Sequence, residues 1–133
     1  MEVNTPLIEA KALKKYFKLG ENRYLHAVDN INLQIYKGTT VGIVGESGCG
    51  KSTFGRTLLR LTEATSGEIL YCGENILTFG RQKMKQMRKN MQIIFQDPYA
   101  SVDPRKSVVE IIAEYMLIHH TYPTRRSLTG QRS

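Results

Sequence analysis

The sequence predicts an α/β protein that begins with an antiparallel β subdomain and continues into a core of buried strands and helices. Two observations support this fold class. Apolar and polar residues alternate in two runs within residues 6–36, as they do in half-exposed antiparallel strands. Residues 39–45 instead form a continuous run rich in β-branched residues, which is typical of a parallel strand buried on both faces.

The two N-terminal runs have recognisable ends. The first, PLIEAKALKKYF at residues 6–17, is followed by the turn-forming residues LGEN. The second, at residues 24–36, alternates over Ile31, Leu33 and Ile35 and ends at a Lys-Gly pair. We therefore predict that the two runs pair as antiparallel strands.

Later segments alternate between helical and extended patterns. A helix is predicted after the glycine-rich stretch because Phe54, Leu58 and neighbouring leucines form one apolar stripe. Short strands are predicted at residues 68–73 and 91–96, with a basic helix at residues 81–90 between them. These alternating segments are typical of an α/β core.

The last predicted elements are a loop and a helix. Residues 97–107 contain two prolines and several turn formers, which predicts a loop. Ser107 followed by Glu110 has the spacing of a capping box, so a helix is predicted to begin there and to continue to His120.

Composition limits the classes of function. The 133 residues, 41% of them hydrophobic, suit about one domain but not a complete doubly wound sheet. The net charge of +7 is spread without interleaved aromatic residues, so no nucleic-acid partner is expected. With two cysteines, no signal-peptide pattern and no spanning apolar run, a reducing, cytosolic location is expected, with any membrane role exerted through a partner.

The stretch GESGCGKST has the phosphate-loop pattern of two glycines separated by four residues and followed by lysine and serine. Its glycines permit backbone N–H groups to turn towards a phosphate, its lysine reaches the β- and γ-phosphates, and its serine hydroxyl coordinates Mg²⁺. A glycine-rich turn that only packs a helix on a strand would not need the lysine and hydroxyl in this order. The candidate residues are Gly45, Glu46, Ser47, Gly48, Cys49, Gly50, Lys51, Ser52 and Thr53.

The chain resembles the ATP-binding subunits of ABC transporters over residues 7–120. Three features carry the resemblance: the strand pair that precedes the phosphate loop, the aromatic end of LKKYF, and MQIIFQDPYAS, which is similar to the family's glutamine loop. The resemblance implies that Tyr16 stacks on adenine, with Phe17 and Tyr24 as lesser candidates. It also implies that Gln96 contacts Mg²⁺ and the attacking water, so Lys51 and Gln96 are the candidate catalytic residues.

Without the resemblance, simple packing of Tyr16 and an uninvolved amide at Gln96 remain open. GESGCGKST with IIFQDPYASVDPRKSV is similar to the oligopeptide, dipeptide and nickel importer branch, in which an Asn or Asp, a Pro and an Arg follow the loop, as in Asp103-Pro104-Arg105. This branch implies import of peptides or related small solutes with ATP as fuel. The implied partners are membrane-spanning permease subunits, a second ATP-binding subunit and, indirectly, an extracytoplasmic solute-binding protein, at the cytoplasmic face of the membrane.

Some family motifs do not occur in the sequence. The serine-glycine-glycine-glutamine signature, the Walker B strand ending in Asp-Glu and the switch histidine are missing, and residues 129–132 only faintly echo the signature. We expect an incomplete cassette: residues 1–38 as the antiparallel part, 39–96 as the phosphate-loop core, 97–120 as the glutamine loop with the start of a helical subdomain, and 121–133 as a tail outside the family or disordered.

Two hypotheses therefore stand. In the first, the chain is the N-terminal portion of an importer ATPase, with little or no hydrolysis by itself, because the general base and the signature donors are missing. In the second, it is a non-catalytic module that binds nucleotide.

Overall fold

The computed structural model describes residues 5–97 and 99–119. The chain divides into two compact units between Met84 and Lys85, and each unit is described by itself. The predicted tail at residues 121–133 and the predicted helix end at His120 lie outside the described residues.

The first unit contains a four-stranded antiparallel sheet in the order β2-β1-β3-β4. Its strands are β1 (Ile8–Gly20), β2 (Arg23–Ile35), β3 (Ser66–Tyr71) and β4 (Glu74–Asn75). The predicted pairing of the two N-terminal runs is confirmed, since Ile8 pairs with Ile35 and Gly20 with Arg23. β3 lies on the other side of β1, a position that the sequence did not indicate.

Two helices agree with their sequence patterns, one within the first unit and one that crosses the boundary between the units. α1 (Lys51–Leu58) buries Phe54, Thr57 and Leu58, and α2 (Arg81–Met87) buries Met84. A 3₁₀ turn, Ile76–Thr78, precedes α2 and was not predicted.

The core of this unit lies where the sheet meets α1 and the 3₁₀ turn. Leu13, Ile69 and Ile76 are at most 1% exposed. Val28 of β2 and Phe54 of α1 are also buried. These side chains come from elements distant in sequence, so the core ties the antiparallel sheet to the segment that follows the glycine-rich loop.

The strands predicted at residues 39–45 and 91–96 are wrong. Within the described residues neither segment belongs to a strand, and Val44 and Ile94 are 94% and 96% exposed. A β-branched run has the propensity for a strand, but a strand exists only when a neighbour completes its hydrogen-bond ladder. Neither segment has such a neighbour among the described residues.

The second unit contains α3 (Val108–Ile118) and a 3₁₀ turn, Tyr99–Ser101, within the predicted loop. The capping box that predicted the start of α3 is confirmed. Ser107 accepts a bond from the Glu110 backbone N–H at 3.3 Å, and the Ser107 N–H donates to the Glu110 carboxylate at 2.7 Å. The bond from the Ser107 backbone N–H, and a second from the Ser107 hydroxyl to the same carboxylate oxygen, lower the pKa of Glu110 and so favour its anionic form at the positive end of the helix.

Leu13→Ala should destabilise the first unit by about 2–5 kcal/mol, because it leaves a cavity at a fully buried position. Leu19→Ala is the matched control on the same strand, where the side chain is 62% exposed, and should change the free energy of unfolding by less than about 0.5 kcal/mol. Urea unfolding followed by circular dichroism measures both. Equal effects of the two substitutions would contradict this packing.

Candidate nucleotide-binding site

The glycine-rich loop ends where α1 begins, and its last glycine is in close contact with β2. Gly50 is the N-cap of α1 with φ of +89°, a left-handed conformation that favours glycine. A Cβ at this position would lie 2.0 Å from the carbonyl oxygen of Ala27, which is far inside van der Waals contact. Both the backbone angle and the close approach therefore require glycine here.

Lys51 folds back over the loop that precedes it. Its ammonium donates to the carbonyl oxygens of Gly45 at 2.6 Å and Glu46 at 2.7 Å, and lies 3.6 Å from the sulfur of Cys49. These partners hold a positive charge within the loop, where the sequence predicts a phosphate.

The start of α1 adds to this positive charge. In its first turn, which lies wholly within the described residues, there is no acidic residue, and Gly50 provides no side-chain cap. No carboxylate of that turn therefore offsets the partial positive charge of the helix N-terminus. Ser52 is exposed beside it. Of the other predicted loop residues, Glu46, Ser47 and Gly48 are exposed and Thr53 is partly exposed.

A cavity of about 580 Å³ extends from the loop along β2. Gly50, Lys51, His26 and Asp29 are among the residues that line it. The rest of the wall is largely apolar, and includes Ile31, Leu33, Val41, Ile43, Val44 and Phe54. The cavity thus combines a positively charged region with an apolar surface.

Tyr16, the predicted adenine contact, stacks on His26 instead of standing alone. The ring centroids are 3.8 Å apart and the planes differ by 10°. The Tyr16 hydroxyl donates to Asp29 at 2.5 Å, and this bond to the carboxylate raises the pKa of the phenol. Of these two rings, His26 lines the cavity and Tyr16 does not.

His26 was not identified from the sequence as a neighbour of Tyr16. The two residues are direct cross-strand partners in the β1–β2 pair, so it is the register of the two strands that places them together. Of the lesser candidates, Phe17 and Tyr24 are both exposed, at 38% and 55%.

Gln96, the other predicted catalytic residue, lies in the second unit and is exposed. Its predicted role at Mg²⁺ and water, and that of Ser52 at Mg²⁺, stay predictions. Nearby in sequence, Arg105 donates to both carboxylate oxygens of Asp103 at 3.0 Å, and these bonds lower the pKa of Asp103.

The described residues contain neither a cluster of metal-binding side chains nor a membrane-spanning helix. No three or more His, Cys, Asp or Glu side chains in that part of the chain converge as a metal site. None of its helices has the length and hydrophobicity needed to cross a bilayer.

A glycine-rich loop that leads into a helix and encloses a lysine ammonium defines the phosphate-loop class of nucleotide-binding proteins. Within this class the chain belongs to the ABC transporter family, whose sequence pattern matches residues 28–129. The sequence resemblance is thereby confirmed.

Several relatives are ATP-binding proteins of peptide transport. The chain is 50% identical to the oligopeptide transport ATP-binding protein OppF of Bacillus subtilis, over 90% of this chain and 39% of that protein. It is 42% identical to the dipeptide transport ATP-binding protein DppF of Haemophilus influenzae, over 87% of this chain and 37% of that protein. The chain thus spans well under half the length of these relatives.

The fold is also that of solved ABC cassettes. A dimeric bacterial ABC transporter cassette superposes with a TM-score of 0.76 at 24% identity, over 91% of this chain and 51% of that one. A structure in a post-hydrolysis state, bound to ADP and phosphate, gives a TM-score of 0.75 at 23% identity over the same shares. The predicted fold class is confirmed by this likeness.

Gly50→Ala should destabilise the first unit by at least about 1–2 kcal/mol and abolish nucleotide binding, because φ is positive and the new Cβ would overlap the Ala27 carbonyl. Gly55→Ala is the matched control within α1, where a Cβ would meet nothing within 4 Å and should stabilise the helix by about 0.5–1 kcal/mol. Urea unfolding and nucleotide titration measure both variants. If Gly50→Ala behaved like Gly55→Ala, the loop would not have this geometry.

Alkylation of Cys49 should block nucleotide binding, since its sulfur lies beside the Lys51 ammonium and an adduct would fill the loop. Cys49 and Cys72 are both exposed free thiols, so Cys49→Ser leaves only the Cys72 thiol to react. Mass spectrometry verifies the modification, and titration with a fluorescent ATP analogue measures binding. Undiminished binding after complete alkylation of the unsubstituted chain would exclude this role of the loop.

Proposed function

We propose that this chain provides the nucleotide-binding part of an ATP-binding subunit that energises an ABC importer of peptides or related small solutes. The observation that carries the proposal is the Lys51 ammonium held inside the loop at the start of α1. Similarity to oligopeptide and dipeptide transport ATP-binding proteins supports the choice of cargo class.

ATP is the proposed nucleotide. The backbone N–H groups of residues 45–53 would surround its phosphates, and the Lys51 ammonium would exchange its carbonyl partners for phosphate oxygens. This exchange is favourable because a phosphate carries net charge, whereas a carbonyl offers only a dipole. Tyr16 is assigned to the base subsite, and Lys51 and Gln96 are the proposed catalytic residues.

Mg²⁺ is the proposed metal partner of the nucleotide. Ser52, an exposed residue at the N-terminus of α1, is one proposed oxygen ligand, and Gln96 is the other. When bound, the ion neutralises phosphate charge and so favours attack at the terminal phosphate. Oxygen ligands of this kind fit a hard cation.

The proposed partners follow from the transporter role. Permease subunits in the membrane, a second homologous or identical ATP-binding subunit, and an extracytoplasmic solute-binding protein would complete the importer. The proposed location is the cytoplasmic face of the membrane, and no nucleic-acid partner is proposed.

The first test is a thermal melt of the full chain with and without Mg-ATP. At about 100 times the dissociation constant, the nucleotide should stabilise the chain by about 2.7 kcal/mol. Lys51→Ala should lose this stabilisation, while Lys37→Ala, an exposed lysine in the turn after β2, should retain it. Equal stabilisation of the two variants would refute the proposed site.

Hydrolysis is tested separately by phosphate release under the same conditions. Release that depends on Lys51 and Gln96 would support the ATPase assignment. Stabilisation without phosphate release would support the non-catalytic nucleotide-binding module instead.

A further inference from the structure

The end of the β1–β2 hairpin extends beyond the rest of the sheet. β3 pairs with β1 only as far as Lys14, which lies opposite Ser66, so beyond this point β1 and β2 continue as a two-stranded ribbon. We call residues 17–25, at the end of this ribbon, the hairpin tip. Every residue of the tip except Gly20 is exposed. The tip is therefore free to meet a partner.

The hairpin tip exposes several large apolar and aromatic side chains. Each is between 38% and 62% exposed, and they are Phe17, Leu19, Tyr24 and Leu25. Phe17 and Leu25 are direct cross-strand partners, so their side chains lie together on one face of the ribbon. This face is opposite to that of the Tyr16 ring, because consecutive residues of a strand point to opposite faces. The apolar face of the tip is thus separate from the predicted base subsite.

Leu19 is the extra residue of a bulge at the end of β1. The register passes from Lys18–Tyr24 to Gly20–Arg23, so β1 has one more residue than β2 in this step. A bulge redirects a side chain away from the regular pleat of the strand. Leu19 is the most exposed of the four large side chains of the tip, so this bulge presents a leucine to the surroundings.

Cations accompany these apolar side chains. Lys15, Lys18 and Arg23 lie in or next to the tip, whose single carboxylate is that of Glu21. The Lys15 ammonium lies 4.9 Å from the centroid of the Phe17 ring. Within the described residues, none of the three cations forms an ion pair with a carboxylate. Their positive charge is therefore available to an anionic partner.

This combination of side chains fits the surface of an anionic membrane. Apolar side chains enter the boundary between headgroups and acyl chains, while lysine and arginine remain at the level of the anionic headgroups. Tyrosine favours the same boundary. A protein partner fits the tip less well, because a standard protein interface uses about 20–30 residues on each side, far more than the tip contains.

We propose that the hairpin tip is a membrane-contact site. Leu19 and the Phe17–Leu25 pair enter the interfacial region of a bilayer that contains anionic phospholipid, and Lys18 and Arg23 bind the headgroups. This inference goes beyond the proposed function, in which other subunits hold the chain at the membrane, because here the chain itself contacts lipid. It requires no nucleotide.

Sedimentation with vesicles tests the contribution of charge. The full chain should sediment with vesicles of phosphatidylcholine and phosphatidylglycerol in equal parts, but not with vesicles of phosphatidylcholine alone. Lys18→Gln should weaken this binding about fivefold, the effect of one cation at an anionic surface, and the double variant with Arg23→Gln about 25-fold. Lys37→Gln is the matched control, since Lys37 follows the opposite end of β2, and should weaken binding less than about twofold.

Tryptophan fluorescence tests where the contact lies, because the sequence contains no tryptophan. In Leu19→Trp, the emission of the single indole should shift to shorter wavelengths when the mixed vesicles are added, since the ring enters less polar surroundings. Leu61→Trp is the control at a leucine outside the hairpin that is 44% exposed, and its emission should not shift. Leu19→Ala should weaken sedimentation about tenfold, because less apolar surface leaves water.

Several outcomes would overturn the inference. They are absence of binding to the mixed vesicles, equal binding to both kinds of vesicle, equal losses in Lys18→Gln and Lys37→Gln, and unchanged emission of Leu19→Trp on bound vesicles. A shift in that emission that follows protein concentration without vesicles would instead indicate contact between two copies, and would also overturn it. Nucleotide binding is measured without lipid and should be retained in Lys18→Gln and Leu19→Ala, so failure of the membrane contact is distinguishable from failure of the proposed function.

Discussion

The close contact between Gly50 and the carbonyl oxygen of Ala27 is the constraint on which the site depends. Ala27 is the bulged residue of β2, and the next residue, Val28, is buried in the core that also contains Leu13. The start of α1 is therefore positioned by the sheet through one backbone contact. Because that contact leaves no room for a Cβ at Gly50, the sheet and the loop can approach this closely only while this residue is glycine.

The same contact helps to locate the loop's positive charge, because Lys51 directly follows Gly50. The Lys51 side chain reaches back to the carbonyl oxygens of Gly45 and Glu46. Two carbonyls and the Cys49 thiol orient the ammonium without cancelling its charge, since none of the three is a carboxylate. A site of this kind is preorganised for an anion: the donor is already located, and the anion replaces dipoles with a full charge.

Sequence patterns predicted the elements that depend on local chemistry, but not the contacts between distant segments. Alternation in β1 and β2, the apolar stripe of α1 and the capping box at Ser107 are properties of consecutive residues, and they predicted these elements correctly. The strands at residues 39–45 and 91–96 were wrong because a ladder needs a partner that propensity does not specify. The place of β3 beside β1, and that of His26 beside Tyr16, were missed for the same reason, since both depend on register.

Recognition of the phosphates and recognition of the base therefore depend on different features of this chain. The phosphate loop is built from consecutive residues, so its chemistry requires only that residues 45–53 form the loop and the start of α1. The stacked pair exists only in one register of β1 against β2, because a slip of one residue turns a side chain to the opposite face of the sheet. The Ala27 bulge sets that register and the Gly50 contact together. Selectivity for the base should accordingly be more sensitive to changes in the sheet than affinity for the phosphates.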